Sequence, residues 1–269
     1  MIKTRAIVLH RFAYSDSSFI VKALTEECGV VSFIIKGAKR KESPFKGVLD
    51  PLALSEVVFR QNPAKELQFI KEASIVNWHA HLRASLMDLA IAQVMAEIVL
   101  RYAPPGTPIP EEFVLLHNAL ADLDSPTTGA TDAVSATSAS GKTSTSTVFS
   151  RWLLDICDLW GYHLDLGVCS RCERPLAEPA ADFSPESGAL ICRHCLGVQS
   201  ARARQETLKG LWELHLQEIH PNPVQNLSGR VFVENALLSY LRNHIGFLKE
   251  IHSLSWLQEV RKLCSAQST

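Results

Sequence analysis

The sequence predicts an α+β multidomain protein, in which a small β-barrel is followed by helices that a cysteine-rich segment interrupts. Three observations support this fold class. Short segments rich in β-branched and aromatic residues, separated by turn residues, occupy the first 78 residues. The apolar period then changes to that of helices. Two pairs of cysteines, at 169–172 and 192–195, lie within the helical part.

The barrel is predicted from five strand-like segments in residues 1–78. They are Thr4–Phe12, Phe19–Thr25, Val30–Lys36, Leu52–Arg60 and Leu67–Ile75. Five strands in a segment of this length match the count and size of an OB-fold barrel. An SH3-like barrel fits the pattern of segments nearly as well. We expect the OB-fold, and the pattern by itself leaves the SH3-like alternative open.

From residue 79 the apolar residues recur with a helical period. The predicted helices are His79–Tyr102, Glu111–Leu123, Val148–Trp160, Gln205–Leu216, Gly229–Ile245 and Leu254–Cys264. We therefore expect a helical domain in two parts, residues 79–168 and 199–269, on either side of a separate module at 169–198.

Residues 124–147 form a low-complexity stretch of Ser, Thr, Ala and Gly without an apolar period, which predicts a disordered insertion. Within it, Ala136–Thr143 matches a relaxed phosphate-binding-loop pattern. That motif requires a hydrophobic strand before it and a helix after it, and the sequence predicts neither. We reject a nucleotide site there.

The cysteine module consists of two C-x2-C pairs, Cys169 with Cys172 and Cys192 with Cys195, nineteen residues apart. Each pair presents two thiolates on a tight turn, and two such turns can close a tetrahedron around Zn²⁺. Four thiolates leave no open position for water. The sequence therefore predicts one structural zinc ion rather than a catalytic one.

The charge distribution points to a local basic surface on a chain whose net charge is −1 and whose pI is about 6.8. Five cations follow the third predicted strand, opposed by Glu42: Lys36, Lys39, Arg40, Lys41 and Lys46. A loop with this charge suits a polyanion, because Lys and Arg displace the counterions condensed on phosphates. A solvated surface loop is the alternative interpretation.

Several classes of protein are disfavoured. No apolar run approaches the roughly 20 residues of a membrane span, and Ala6–Leu9 is too short for a signal-peptide core, so we expect a cytoplasmic protein without membrane contact. No pattern of nucleophile and base is evident, so we expect no enzymatic activity.

Two stretches resemble the RecO family of bacterial DNA repair proteins, which are recombination mediators. In the barrel the matching residues are Ala6–Leu9, Tyr14–Ser17, Leu24, Thr25, Gly29, Lys36–Arg40 and Leu49–Pro51. The second match is Leu153–Cys172, a helix that ends in Gly-Tyr just before the first cysteine pair. The insertion 124–147 departs from the family pattern.

The resemblance implies binding of single- and double-stranded DNA, annealing of complementary strands and help in loading RecA. It also implies RecR and the acidic tail of single-strand binding protein as partners, and a bacterial, nucleoid-associated location.

Candidate contact residues follow from the basic loop and its neighbours. The candidate DNA ligands are the five cations of the loop, with Arg5 and Arg11 extending the track. Four aromatic residues are candidates for stacking on bases: Phe12, Tyr14, Phe33 and Phe45. Phe33 lies in an apolar run and is predicted to belong to the core. A site for the acidic tail is predicted at Arg202, Arg204 and Lys209, beside the apolar Leu208, Leu211 and Trp212.

An alternative function is an RNA-binding OB-fold and zinc-ribbon protein of transcription or translation. Phosphate contacts are common to DNA and RNA, and only a contact to the 2′-hydroxyl separates them. Competition between matched DNA and RNA strands distinguishes the two functions.

Overall fold

The structure is a computed structural model that describes residues 1–104, 106–125, 144–219, 227–245 and 251–266. Most of the predicted insertion, including the Ala136–Thr143 match, lies outside the described residues, so its predicted disorder stays a prediction.

Five strands form a closed N-terminal barrel: β1 (Ile2–Ala13), β2 (Phe19–Thr25), β3 (Gly29–Ile35), β4 (Leu54–Arg60) and β5 (Leu67–Asn77). The strand order around the barrel is β1-β2-β3-β5-β4, and β4 closes onto β1. All pairings are antiparallel except that of β3 with β5. A five-stranded barrel with this crossover is OB-like. The predicted barrel is confirmed, and the SH3-like alternative is set aside.

The core of the barrel follows from the alternation of side chains along each strand. Val21, Phe33 and Val57 point inward and are almost fully buried, and the rings of Phe33 and Phe59 meet edge to face with centroids 5.1 Å apart. The prediction that Phe33 belongs to the core is confirmed, and Phe33 is not available to stack on a base.

The first predicted helix is two helices, α1 (Ala80–Ala84) and α2 (Leu86–Tyr102), so the prediction of one continuous helix was wrong. The chain is extended at Ser85, whose hydroxyl accepts a hydrogen bond from the Asp88 N–H at 3.3 Å. Serine favours this capping position over a helix interior. The next helix, α3 (Pro110–Asp124), agrees with the prediction within a residue at each end.

The last helix, α8 (His252–Ala266), packs against α2. The carboxylate of Glu97 accepts hydrogen bonds from the N–H groups of His252 (3.1 Å) and Ser253 (2.7 Å) and from the Ser253 hydroxyl (2.6 Å). Burial by itself would raise the pKa of Glu97, but these bonds and the guanidinium of Arg101 outweigh it and lower the pKa. An anion at the N-terminus of α8 also complements the helix dipole.

Residues 144–245 contain the remaining elements: α4 (Thr145–Leu159), β6 (Asp182–Ser184), β7 (Ala189–Ile191), α5 (Arg193–Leu196), α6 (Gln205–Ile219) and α7 (Arg230–His244). Helix α7 packs against both α4 and α6. At Gly210 a Cβ atom would lie 2.3 Å from the Val233 side chain, so a glycine permits the close approach of α6 and α7.

Helix α4 begins three residues before its predicted start. Ser144 caps it by accepting a hydrogen bond from the Thr147 N–H at 3.2 Å. Residues 144–147 therefore form a helix cap and first turn, so the predicted insertion is too long at this end. The cause is that Ser and Thr, which read as low complexity, are also favoured N-cap residues.

The chain forms two compact units. Unit 1 comprises Met1–Ala133 and Ile251–Thr269, and unit 2 comprises Val134–Glu250. The barrel thus shares a unit with α1, α2, α3 and α8, whereas the sequence groups α8 with the second part of the helical domain. The proposed domain limits at 78, 168 and 198 stay a prediction.

Candidate nucleic-acid interface and metal centre

The loop between β3 and β4 covers one end of the barrel and forms a groove of about 470 Å³ there. Its inner wall consists of Val21, Ile35 and Leu49, which also belong to the hydrophobic core, so the groove lies at the mouth of the barrel. Five of the seven predicted DNA ligands line it: Arg11, Lys39, Arg40, Lys41 and Lys46. The side chains of the last four are exposed. We call this feature the mouth groove.

Arg11 and Asp50 form an ion pair in the mouth groove. The Arg11 guanidinium also lies 4.8 Å from the centre of the Phe19 ring, and the Lys39 ammonium lies 5.4 Å from the same ring. Among the lining residues, all of which the structure describes, Asp50 is the one carboxylate. The groove therefore carries five cations and one anion, and Asp50 holds Arg11 in place.

The other two predicted ligands lie elsewhere. Arg5 donates two hydrogen bonds to Glu26, at 2.6 and 2.8 Å, and its guanidinium is 5.5 Å from the ring of Phe113 on α3. The Arg5 guanidinium is therefore engaged in a contact between the barrel and α3. Lys36 is exposed and lies 5.3 Å from the ring of Phe69 on β5. The DNA-binding role of all seven cations stays a prediction.

The aromatic candidates have different surroundings. Phe45 is half-buried and lines the mouth groove, whereas Tyr14 and Phe12 are exposed at 59% and 38%.

Two further residues of this region were not predicted from the sequence. Phe69, which is 47% exposed, was not predicted to be at the surface because its strand is rich in apolar residues. The alternation of buried Gln68 with exposed Phe69 is the signal that marks it. Asp50 was missed because its partner Arg11 is distant in sequence.

The side chains of the four predicted metal ligands form one cluster. The Sγ atoms of Cys169, Cys172, Cys192 and Cys195 all lie within 4.8 Å of one another, and those of Cys172 and Cys192 are 4.0 Å apart. A tetrahedral zinc site with Zn–S distances of about 2.3 Å requires sulfur separations of about 3.8 Å. The cysteines therefore lie close enough to hold one metal ion, and their thiolate chemistry fits zinc.

Backbone N–H groups donate hydrogen bonds to the cysteine sulfur atoms, which favours the thiolate form that binds a cation. The Cys192 N–H donates to Cys169 Sγ at 3.3 Å, and the Cys195 N–H donates to Cys192 Sγ at 3.4 Å. Burial would raise the pKa of Cys169, but the N–H groups of Cys192, Cys172 and Arg171 outweigh it and lower the pKa to about 6. Hydrogen bonds with the thiols of Cys172 and Cys192 raise the pKa of Cys195 to about 12. Binding of a metal would release the protons of those thiols that are not yet ionised.

Two contacts fix the cysteine module to the rest of unit 2. The β6–β7 turn brings Gly188, with φ of 68°, against the ring of Tyr240 on α7, where a Cβ atom would approach to 2.6 Å. The Asp182 carboxylate on β6 accepts hydrogen bonds from the N–H groups of Arg202 (2.8 Å) and Ala203 (2.9 Å). The segment that leads into α6 is therefore anchored on the module.

The predicted tail site is only partly at the surface. Arg202, Arg204 and Lys209 are exposed. Leu208 and Leu211 are buried, so the prediction that they form an apolar surface beside these cations was wrong. The reason is that both face the interior side of α6. Trp212, the third predicted apolar residue, is half-buried. The ring of Phe232, which lies 4.5 Å from the Arg204 guanidinium and is 36% exposed, provides apolar surface beside that cation.

Among the described residues, no helix combines the length and the apolar character needed to cross a membrane.

Comparison with known proteins finds a family that matches the barrel and relatives that match most of the chain. Residues 1–79 match the family described as "Recombination protein O N terminal". The chain is 25% identical to the DNA repair protein RecO of Dehalococcoides mccartyi and 26% identical to that of Syntrophus aciditrophicus, each over 97% of this chain and 96% of the relative. It is 31% identical to the RecO of Geobacter metallireducens over 72% of both chains. The chain therefore belongs to the RecO family of DNA repair proteins.

Proposed function

We propose that this protein is a non-enzymatic, DNA-binding recombination mediator. It binds single- and double-stranded DNA, anneals complementary strands and helps to load RecA onto single-stranded DNA coated by single-strand binding protein. RecR and the acidic tail of single-strand binding protein are its proposed partners. The mouth groove, in which Lys39, Arg40, Lys41 and Lys46 converge beside Arg11, is the observation that carries the proposal.

The groove suits a phosphate backbone for two physical reasons. Four exposed cations at its rim can each neutralise a phosphate and release condensed counterions. Between them, Phe45 offers a partly exposed ring, which combines charge and stacking as nucleic-acid-binding OB-folds do. The lining residues supply charge and apolar surface, with a single ion-paired carboxylate, so we propose binding without a chemical step.

We propose that Cys169, Cys172, Cys192 and Cys195 bind one structural zinc ion. Zinc would cross-link the two cysteine turns, and four thiolates would occupy its whole coordination sphere. The N–H groups of Cys192 and Cys195 would keep their bonds to the thiolates and orient them.

The acidic tail would bind at Arg202, Arg204 and Lys209, with Phe232 as the apolar surface. Guanidinium groups bind carboxylates well, and the Phe232 ring could receive an aromatic side chain. Replacing Arg202 and Arg204 by Glu should abolish binding of an acidic peptide that ends in Phe, measured by fluorescence anisotropy. Undiminished binding by that variant would exclude this location.

The DNA-binding proposal is tested by a salt titration of binding to a fluorescent single-stranded oligonucleotide, with an annealing assay on complementary strands. We expect the variant Lys39→Ala, Arg40→Ala, Lys41→Ala to bind more weakly on every sequence. The slope of log K against log salt should fall by about 0.7 for each lost contact, or about 2 in all.

A charge-matched control is the variant Lys3→Ala, Lys71→Ala, Lys262→Ala, which removes three exposed cations outside the mouth groove. Its salt slope should equal that of the wild type. If the two variants had equal slopes, the mouth groove would not be the phosphate site. Tight binding of a matched RNA strand without annealing would favour the alternative function in transcription or translation.

A further inference from the structure

The mouth groove contains a carboxylate that a site for a polyanion does not need. Asp50 lies in the β3–β4 loop, lines the groove and forms an ion pair with Arg11 of β1. The side chain of Asp50 is 26% exposed and that of Arg11 is 31% exposed, so both can be reached by a ligand. A carboxylate repels phosphate, so Asp50 lowers the attraction of the groove for nucleic acid.

Asp50 occupies Arg11 with the kind of group that a phosphate would offer. The Arg11 guanidinium lies 4.8 Å from the centre of the Phe19 ring and donates a hydrogen bond to the Asp50 carboxylate. Carboxylate and phosphate oxygens both accept charge-assisted hydrogen bonds from guanidinium groups. A phosphate that approaches Arg11 therefore has to compete with Asp50.

The other cations of the mouth groove have no such competitor. Lys39 donates a hydrogen bond from Nζ to the carbonyl oxygen of Ser15 at 2.6 Å, and because the carbonyl is neutral, Lys39 keeps its full charge. Within the part of the chain that the structure describes, no carboxylate forms an ion pair with Arg40, Lys41 or Lys46. Arg11 is therefore the cation of the groove whose charge is compensated.

The backbone that follows Asp50 is anchored at two points. Arg83 of α1 donates a hydrogen bond to the carbonyl oxygen of Pro51 at 2.5 Å, and the Leu52 N–H donates to the carbonyl oxygen of Val8 at 2.7 Å. Burial lowers the pKa of Arg83, and the nearby carboxylate of Asp50 opposes this effect. The Asp50 carboxylate is therefore a fixed part of the groove, placed between two guanidinium groups.

We propose that Asp50 is a positioning residue that binds Arg11 in place of a nucleic-acid phosphate and thereby speeds the release of a bound strand. The inference rests on the proposed function and deepens it. A strand is attracted by the four uncompensated cations but gains Arg11 only by displacing an anion that belongs to the protein. Limited affinity suits annealing, because a strand must leave the groove once it has paired with its complement.

The test uses Asp50→Asn, which keeps the shape of the side chain and removes its charge. The full-length variant should bind a fluorescent single-stranded oligonucleotide about 3- to 20-fold more tightly at low salt, since both a competitor and a repulsive charge are lost. The slope of log K against log salt should become steeper by about 0.7, the value for one more phosphate contact. A purely structural role of Asp50 would give the opposite sign, which is weaker binding.

The gain should appear mainly as slower release. Dissociation into an excess of unlabelled strand, followed by stopped-flow fluorescence, should slow by nearly the same factor as the affinity rises, because variants of one interface differ mostly in dissociation rate. Asp50→Ser, a second neutral variant, should show the same gain. Asp50→Glu, which keeps the charge, should retain the affinity and the salt slope of the wild type.

A double variant separates compensation of Arg11 from the simple gain of charge. Arg11→Ala, Asp50→Asn has the net charge of the wild type, and if Asp50 compensates Arg11 in the complex, its salt slope should equal that of the wild type. A slope flatter by about 0.7 would show that Arg11 already contacts a phosphate in the wild type and would overturn the proposal.

The control for net charge is Glu27→Gln, an exposed carboxylate in the turn between β2 and β3. The seven residues of β2, about 20 Å of strand, lie between this turn and the groove. Charges farther apart than about 10 Å are largely screened at 0.1 M salt, so the affinity should change less than about twofold. Equal gains in Glu27→Gln and Asp50→Asn would contradict a local role of Asp50.

The outcomes also separate this inference from the proposed function. If Asp50→Asn bound no more tightly while Lys39→Ala, Arg40→Ala, Lys41→Ala bound more weakly, the proposed DNA-binding function would stand and only the role of Asp50 would fall. If the wild type bound no strand at all, both would fall. Circular dichroism of each variant confirms that the barrel remains folded.

Discussion

The barrel and the cysteine module of this protein differ in how much apolar surface they bury, so we expect different chemistry to stabilise them. In the barrel, inward-facing side chains such as Val8, Phe33 and Phe59 form a closed hydrophobic core. The module has two strands of three residues and one helix of four, with Phe183 and Leu190 as its largest fully buried apolar side chains. A hairpin of that size is at best marginally stable in water. The barrel is therefore held by apolar burial, whereas we expect the module to depend on a bound metal ion.

The largest effect should come from removing the metal. Without a cross-linking ion, the four thiols cannot hold the module, since structural zinc contributes folding free energy directly. We expect chelation, or Cys169→Ser with Cys192→Ser, to abolish hydrogen-exchange protection in residues 169–198. The protection of β1–β5 and the salt slope of DNA binding should not change.

This prediction also has a local consequence. Because Asp182 holds the N–H groups of Arg202 and Ala203, protection of residues 201–204 should fall together with that of the module. Full protection of the module after complete removal of the metal would show that it is held by something other than the ion.

The next effect is expected in the barrel. Phe33→Ala leaves a cavity beside Phe59 in a core that cannot fully collapse, and such substitutions cost about 3–5 kcal/mol. Urea titration followed by hydrogen exchange in β1–β5 measures the loss. The control is Phe12→Ala, an exposed phenylalanine of the same barrel, which should change the free energy of unfolding by less than about 0.5 kcal/mol. Equal effects of the two variants would contradict a core-based barrel.

A smaller effect is expected where unit 1 relies on charge. Glu97→Gln weakens three hydrogen bonds to the start of α8 and the ion pair with Arg101, at a cost of about 1.5–3 kcal/mol near neutral pH. The folded pKa of Glu97 is lowered. Its contribution is therefore complete above the ordinary pKa of about 4.3 and is lost as pH falls through the folded value.

Hydrogen exchange in α8 across this pH range should show the wild type approaching the variant on acidification. Glu259→Gln, an exposed position on α8, serves as the control and should leave the exchange unchanged. A difference between wild type and Glu97→Gln that stayed constant down to low pH would mean that the carboxylate does not titrate as proposed.

The sequence predicted well those features that depend on short, local patterns of residues. The five strands follow from alternation and turns, and the cluster of four cysteines from the spacing of Cys169, Cys172, Cys192 and Cys195. The basic loop was also found, since its cations are contiguous in the chain.

What the sequence did not predict depends on the register between distant segments. The pairing of Phe12, Ile20, Ile34 and Phe69 into one row requires the alignment of four strands, which no local pattern specifies. The same holds for the Arg5–Glu26 ion pair and for the bonds from Glu97 to α8. The break at Ser85 was hidden by strong helix formers on both sides of it.

Helix α8 belongs to unit 1 but is synthesised after unit 2, so unit 1 stays incomplete while the ribosome makes unit 2. Helix α2 ends at Tyr102 and α8 begins at His252, so all of unit 2 is synthesised between the two helices that pack together. At about 5–20 residues per second, this interval lasts roughly 8–30 seconds. During it the apolar side of α2 has no α8 to cover it, so the nascent chain exposes a surface to which a chaperone could bind.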